Sequence, residues 1–329
     1  MRAVVVREFG GIENASLGDV ARPTAKAGEV LIETRAVSVN FVDLVMMSGS
    51  YQFKPPLPFV PGKLPVGVVS AAGQDVKNFR PGDRALLMAE QGGFAEFAVM
   101  AQGQCVKLPA SLPFEEAAAM ALVYDTAYFA LKYRGRIQPG ETVLVLGATG
   151  GVGLAAIQLA KAFGARVFAA VASMDKADIV REAGADAIVD LSKPDLHDSL
   201  RQQVFALTDN KGVDIIVDML GGDIFDAAVR ALAWCGRLIV IGFASGHIPS
   251  LKMNYVLVKN IEVSGMQISD YRKRRPADMQ ACFADIYRLH GEGKLKPLPT
   301  KTYPLAQFAE ALREIKERTV RGRIVLTMP

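Results

Sequence analysis

Cysteine is scarce in this chain of 329 residues: Cys105, Cys235 and Cys282 lie far apart in the sequence. That spacing makes neither a disulfide framework nor a metal knuckle, and it points to a reducing, cytoplasmic setting. Histidine is equally sparse. His197, His247 and His290 follow no ligand spacing, and each reads as an ordinary loop or helix residue. Charge or glycine interrupts every apolar run well short of the ~18 residues that a membrane span needs. The stretch Met1–Glu8 lacks a long apolar core and a cleavage site, so it reads as a short strand rather than a signal peptide. Charge of one sign is barely in excess. The 38 Lys and Arg against 34 Asp and Glu leave +4, too little to mark a nucleic-acid binder. There is no internal repeat and no low-complexity segment.

What is present is a globular composition, with 50% hydrophobic and 22% charged residues, which excludes wholesale disorder and coiled coil. At about 150 residues per domain, the length predicts two domains. The first ~120 residues are rich in Gly, Pro and Val, with short runs such as Glu29–Arg35 and punctuation at Pro81-Gly82-Asp83 and Gly92-Gly93. They predict a β-rich domain with irregular connections.

After Gly140 the rhythm changes. Strands are predicted at 142–146, 166–172, 186–191, 214–220 and 237–243. Helices are predicted near 152–163, 176–183, 196–207 and 224–234. In the first helix Val152, Ala155, Ala156, Leu159, Ala160 and Phe163 form one apolar stripe. This alternation argues for right-handed crossovers and a parallel, doubly wound sheet. From Ile261 the pattern is mixed again, with one strand, helices near 279–290 and 305–317, and a last strand at 323–327. That tail could complete the first domain. The expected division is 1–121 with 261–329, around a central 122–260.

The strongest local signal is Gly147-Ala148-Thr149-Gly150-Gly151-Val152-Gly153, between the first of these strands and its helix. A dinucleotide pyrophosphate needs a tight turn, backbone it can approach without a Cβ in the way, and free N–H groups at a helix N-terminus. Ala148 stands where the first glycine usually is. The next strand ends Val171-Ala172-Ser173-Met174-Asp175-Lys176, with no carboxylate before Asp175 to accept from a ribose 2′-OH. Ser173 could donate to a 2′-phosphate and Lys176 could neutralise it. Equally, Ser173 could cap the next helix and Lys176 be solvated. The missing acid favours NADP(H) over NAD(H).

These residues, with Asn40-Phe41-Val42-Asp43, Pro58–Gly62, Gly67-Val68-Val69, Gly82-Asp83-Arg84, Ile241–Gly246, Leu257–Asn260 and Arg321–Val325, resemble the medium-chain dehydrogenase/reductases along the whole chain. More narrowly they resemble the zinc-independent NADPH:quinone oxidoreductase branch, which includes zeta-crystallin-like proteins. The resemblance implies an α/β protein with a discontinuous GroES-like domain and a Rossmann domain, an active site in the cleft, and usually a homodimer. It implies cofactor contacts from Asn40, Thr126, the Ala148–Gly153 turn, Gly242, Phe243, Ala244 and Arg323, and a substrate pocket near Val45, Tyr51 and Phe243. Zinc alcohol dehydrogenases of the superfamily place Cys, His, Glu and Cys or Asp around a metal where this chain has Asn40, Lys63, Leu64 and Leu122. Lys and Leu do not replace imidazole and thiolate as ligands, so no metal is expected.

Without a metal, an isolated ketone is a poor acceptor, because hydride addition leaves a localised alkoxide. A quinone or α,β-unsaturated carbonyl spreads that charge, and hydrogen bonds can suffice. Tyr124, Asn40 and Thr126 are the candidate catalytic residues. Tyr124 could donate to the oxyanion or be a half-buried aromatic at the domain junction, and Thr126 could hold the carboxamide. Asn40 could serve the site or cap the helix after it, and Asp43 fits a dipole-stabilising first-turn acid. Relatives often carry Tyr at Val45, Tyr at Leu191 and an acid at Leu64. The run Arg272–Arg275 reads as a solvated loop; the other readings are attraction of an anionic substrate, such as a coenzyme A thioester, and, less favoured, of nucleic acid as an accessory function. The expected function is an NADPH-dependent quinone or conjugated-carbonyl reductase. The alternatives are an enoyl-thioester or alkenal reductase, and a weakly catalytic NADPH-binding structural or regulatory protein.

Overall fold

The computed structural model describes residues 1–328. The chain divides into two compact units. The first comprises Met1–Leu122, Ser269–Phe283 and the chain from Pro297 onward, and the second Val123–Ile268 with Ala284–Lys296. The tail therefore contributes to both units rather than to the first alone.

The first unit begins with strands β1 (Arg2–Val6), β2 (Ala15–Asp19) and β3 (Glu29–Val39), and helix α1 (Phe41–Met47). Strands β4 (Val66–Ala72), β5 (Arg84–Leu87), β6 (Phe97–Ala101) and β7 (Cys105–Lys107) follow, then α2 (Phe114–Met120). The long β3 is the spine. It pairs antiparallel with β4 and β6 along its first part, and its end from Ala36 to Val39 pairs with a strand from the C-terminal tail. Its residues Val37 and Val39, with Val4, Val6, Met46 and Met47, form the buried cluster that seats α1 beneath the sheet.

The second unit opens with α3 (Val123–Tyr128) and continues as β8 (Thr142–Leu146), α4 (Gly151–Ala162), β9 (Arg166–Val171), α5 (Ala177–Glu182) and β10 (Ala187–Asp190). Then come α6 (Leu196–Leu207), β11 (Val213–Asp218), α7 (Gly222–Val229), β12 (Leu232–Val240), α8 (Met253–Lys259) and β13 (Glu262–Gly265). The order β10-β9-β8-β11-β12-β13 is parallel throughout. It is the doubly wound order, whose switch point lies between β8 and β11. Val143 to Leu146 and Ile215 to Val217 are fully buried, because helices cover both faces of such a sheet. Each aliphatic side chain so buried contributes roughly 1.5–3 kcal/mol.

After these come α9 (Ile268–Arg274), α10 (Pro276–Gly291), β14 (Thr300–Pro304), α11 (Phe308–Glu317) and β15 (Arg323–Thr327). In the first unit the larger sheet runs β14-β15-β3-β4-β5-β7, with β6 also on β3, while β1 and β2 form a separate pair.

Two expectations need correction. The helix predicted to reach Trp234 ends at Val229, and β12 starts at Leu232. The opening of β12 is irregular. Its register jumps from Val213↔Leu232 to Ile215↔Arg237, and Cys235 takes φ +59°. The extra residues break the period-2 pattern and leave an apolar run that mimics a helix face. The basic run Arg272–Arg275 is likewise no solvated loop. Arg272–Arg274 is the last turn of α9, and Arg272 is fully buried.

Candidate active site

At the carboxyl end of β8 the chain turns through Gly147, at φ +75°, into α4, with Gly150 as its N-cap. A Cβ on Gly153 would lie 2.3 Å from Gly147 O and 2.7 Å from Ala148 Cα, so only glycine lets the helix approach its own turn this closely. A Cβ on Gly150 would meet only Gly147 O, at 3.4 Å. Gly150 is exposed, Thr149, Gly151 and Val152 are half-buried, and Ala148 is buried as the floor of the turn. The first amides of α4 have no intrahelical acceptor. A turn of this shape, open at a helix N-terminus, could hold the pyrophosphate of a dinucleotide.

The neighbouring strand ends complete that rim. After β11, the buried Asp218 carboxylate accepts from the amides of Leu220 (2.8 Å) and Gly221 (3.1 Å), fixing a loop whose Leu220 side chain packs beside Gly147. Burial pushes the Asp218 carboxyl up from its ordinary range, against the opposing pull of those two amides. The loop after β12 is tied to the same segment, with the Ala244 amide donating to Met219 O and Ser245 to Leu220 O, each at 3.0 Å. Gly242 and Ala244 are half-buried there, and the Phe243 ring is exposed. After β9, Ser173 is exposed at the N-cap of a short 3-10 turn, its hydroxyl donating to the Asp175 carboxylate, with Lys176 half-buried behind it.

In the same unit, Tyr124 is buried to 1% exposure rather than half-buried. Its hydroxyl lies 3.1 Å from Gln158 Oε1, which also accepts the Lys296 amide at 2.8 Å. Thr126, two residues on in α3, is also buried, its amide donating to Asp125 Oδ1 at 3.0 Å.

In the first unit the Asn40 side chain is buried and bonded on both sides. Its Nδ2 donates to Ser38 O and Ser38 Oγ, each at 3.1 Å, and its Oδ1 accepts from Arg323 Nη2 at 2.7 Å. Arg323 is itself buried and donates through Nε to Ala119 O. The Asn40 amide donates to Asp43 Oδ2 at 2.8 Å, which caps α1. Burial pushes the Asp43 carboxyl up to about 6, although the amides of Asn40 and Gly62 and the charges of Lys63 and Arg323 pull the other way. Val45 and Tyr51 are half-buried.

Sequence reasoning missed a buried ionic cluster nearby. Lys63 Nζ pairs with Glu90 Oε2 at 2.5 Å, Arg272 Nη1 with Glu90 Oε1 at 2.8 Å, and Ser269 Oγ donates to Glu90 Oε2 at 2.6 Å. Burial alone would raise the Glu90 carboxyl, but Arg272 and Lys63 outweigh it and hold it at about 2. The Lys63 ammonium also lies 5.2 Å from the Tyr51 ring centroid. Gly62 makes the backbone path possible: at φ +91°, a Cβ there would strike the Phe94 amide at 2.6 Å. The partners are 27 and 182 residues apart. A lone Glu closing an apolar run at Met88-Ala89-Glu90 was the only local sign.

Two family models match the chain. Residues 26–110 match the family model described as alcohol dehydrogenase GroES-like domain, and 151–284 the one described as zinc-binding dehydrogenase. The human quinone oxidoreductase is 36% identical over 317 residues, covering 96% of this chain and 94% of that protein. The chain belongs to the quinone oxidoreductase family of medium-chain dehydrogenase/reductases. A quinone oxidoreductase-like protein 2 homolog from Nematostella vectensis is 38% identical over 301 residues, 91% of this chain and 81% of its own. The structure of Escherichia coli quinone oxidoreductase complexed with NADPH superposes with a TM-score of 0.91 at 26% identity, covering 99% of this chain and 100% of that one.

For this family member the zinc position can be tested on its own residues. Lys63 is committed to Glu90, Leu64 is a fully buried hydrocarbon, and Asn40 is bonded to Ser38 and Arg323. That donor set does not fit a zinc ion. Among the described residues no group of three His, Cys, Asp or Glu could hold a metal.

Proposed function

We propose that the chain is an NADPH-dependent, zinc-independent reductase of quinones and related conjugated carbonyls. The observation that carries this reading is the open glycine turn at the switch point, shaped by Gly153 and unobstructed at Gly150. Membership of a family with NADPH-complexed members supports the cofactor.

When bound, the reduced nicotinamide supplies the two electrons and one hydrogen of the reduction. The amides at the start of α4 hold the pyrophosphate, and Ser173 and Lys176 take the 2′-phosphate. In that role Ser173 turns its hydroxyl away from Asp175. Gly242, Phe243 and Ala244 border the nucleotide, and Thr126 orients the carboxamide. Tyr124 and Asn40 are the catalytic hydrogen-bonding groups, and Asn40 is held rigid by Ser38 and Arg323. Val45 and Tyr51 offer apolar surface to a flat acceptor. Such an acceptor delocalises the incoming charge, so hydrogen-bond donors stabilise it without a Lewis acid. Asn40, Lys63 and Leu64, which do not make a Lewis-acid metal site, favour this chemistry over reduction of simple ketones.

We also place the enzyme in the cytoplasm, since Cys105, Cys235 and Cys282 form no disulfide, and read it as a homodimer. Among the described residues the edge strand β13 pairs only with β12, and α8 exposes Met253 and Leu257. Sedimentation at micromolar concentration should give twice the chain mass, and a monomer would refute that part.

The test of the reaction is NADPH oxidation with 1,2-naphthoquinone, 9,10-phenanthrenequinone, an alkenal and crotonyl-CoA, in the presence of a chelator. Turnover with the quinones supports the proposal. Turnover confined to crotonyl-CoA or the alkenal would reassign the acceptor, and none with any would leave a binding protein.

A further inference from the structure

A cavity of about 360 Å³ in the second unit is lined by Arg201, Arg230, Asn254, Tyr255, Val258 and Lys259. Arg201 lies on α6, Arg230 directly follows α7, and Lys259 ends α8. Arg230 and Lys259 therefore stand just before β12 and β13, at the amino-terminal edge of the parallel sheet. The glycine turn occupies the opposite, carboxyl edge. No lining residue is acidic.

The charge balance is strongly positive. Arg230 pairs with Asp198 at 2.7 Å. Arg201 has no ion-pair partner among the described residues, only a cation–π contact with Phe205 at 4.7 Å. Lys259 donates to two carbonyls, Arg230 O at 2.8 Å and Leu232 O at 2.5 Å, and meets no carboxylate. Burial, then Arg201 and Arg230, press its ammonium below the ordinary lysine range. Three cations thus share one cavity with a single carboxylate behind them.

The geometry points to a binding site for a phosphate group, separate from the cofactor cradle. Two guanidinium forks suit a tetrahedral dianion. The Asn254 amide and Tyr255 hydroxyl add neutral donors, and the Tyr255 ring with Val258 offers a wall for an organic substituent. Filling the site would relieve the mutual repulsion of the three cations.

The experiment uses protein saturated with NADP⁺, so that the cofactor cradle is occupied, titrated calorimetrically at constant ionic strength with inorganic phosphate and with phenyl phosphate. Saturable binding is expected, weakened at least tenfold in Arg201→Gln, equivalent to ~1.4 kcal/mol. That variant removes only the ring contact, and its NADP⁺ affinity should match the wild type. Arg230→Gln should weaken phosphate binding similarly. Tighter binding of phenyl phosphate identifies an organic phosphomonoester as the occupant, and equal affinities identify free phosphate. No saturable binding up to tens of millimolar, or equal affinity in both variants, would overturn the inference. Because the readout is loss of phosphate binding on Arg201→Gln, it stands whether or not the proposed reductase activity is found.

Discussion

Replacing Glu90 by Gln would remove the carboxylate that pairs with two buried cations. Lys63 is 2% exposed, Arg272 is fully buried, and both point at the same carboxyl group. Stripping the counter-charge from a buried pair typically costs 3–5 kcal/mol. A carboxyl held at about 2 instead of 4.5 implies about 3 kcal/mol by an independent route. For a domain of this size that should lower the melting temperature of the first unit by roughly 6–12 °C at pH 7. Glu90 is depressed in the folded state, so its contribution is present above pH ~4.5 and fades as pH falls toward 2. The gap between wild type and E90Q should therefore close in acid. Lys63→Met should cost less than E90Q, because the Arg272–Glu90 pair survives. Calorimetric unfolding at pH 7 and pH 3 provides the assay. A pH 7 difference below ~0.5 kcal/mol, or K63M more damaging than E90Q, would refute the reasoning.

Gly150→Ala should keep the fold, since its Cβ meets nothing closer than 3.4 Å, yet weaken NADPH at least tenfold by placing a methyl group over the pyrophosphate cradle. Gly153→Ala must displace backbone and should lose both stability and binding; circular dichroism and fluorescence titration separate the two outcomes. Lys176→Ala should raise the NADPH dissociation constant about 10–30-fold, the worth of one charge-assisted contact, with NADH unchanged; an unchanged NADPH value removes Lys176 from the 2′-phosphate. Asp43, raised to about 6, holds its proton longer in the folded state than in the unfolded one. Wild-type stability should therefore decline by up to about 3 kcal/mol as pH rises from 4 to 6. Asp43→Asn should flatten that limb in urea unfolding, and an unaltered limb would exclude Asp43 as its source.

The sheet of the second unit was legible because buried parallel strands read as short aliphatic runs between helical stripes, as at Thr142–Leu146 and Gly151–Ala162. The bulge at the start of β12 was not, because extra residues erase strand periodicity there. The glycine turn was legible since its constraint is local: Gly153 answers to Gly147 and Ala148, a few residues away. The Lys63–Glu90–Arg272 cluster was hidden for the opposite reason. Its members come from separate segments, and a buried Arg inside a basic run has the same local sequence as a solvated one. Asn40 and Tyr124 stood out as polar residues, but their partners Arg323 and Gln158 emerge only when distant strands and helices meet.

Calorimetric titration of the purified chain with NADPH, set beside NADH, tests the central claim most directly. One NADPH per chain, bound at least tenfold more tightly than NADH, is the predicted result. Folded protein that takes up neither nucleotide would contradict the account at its root.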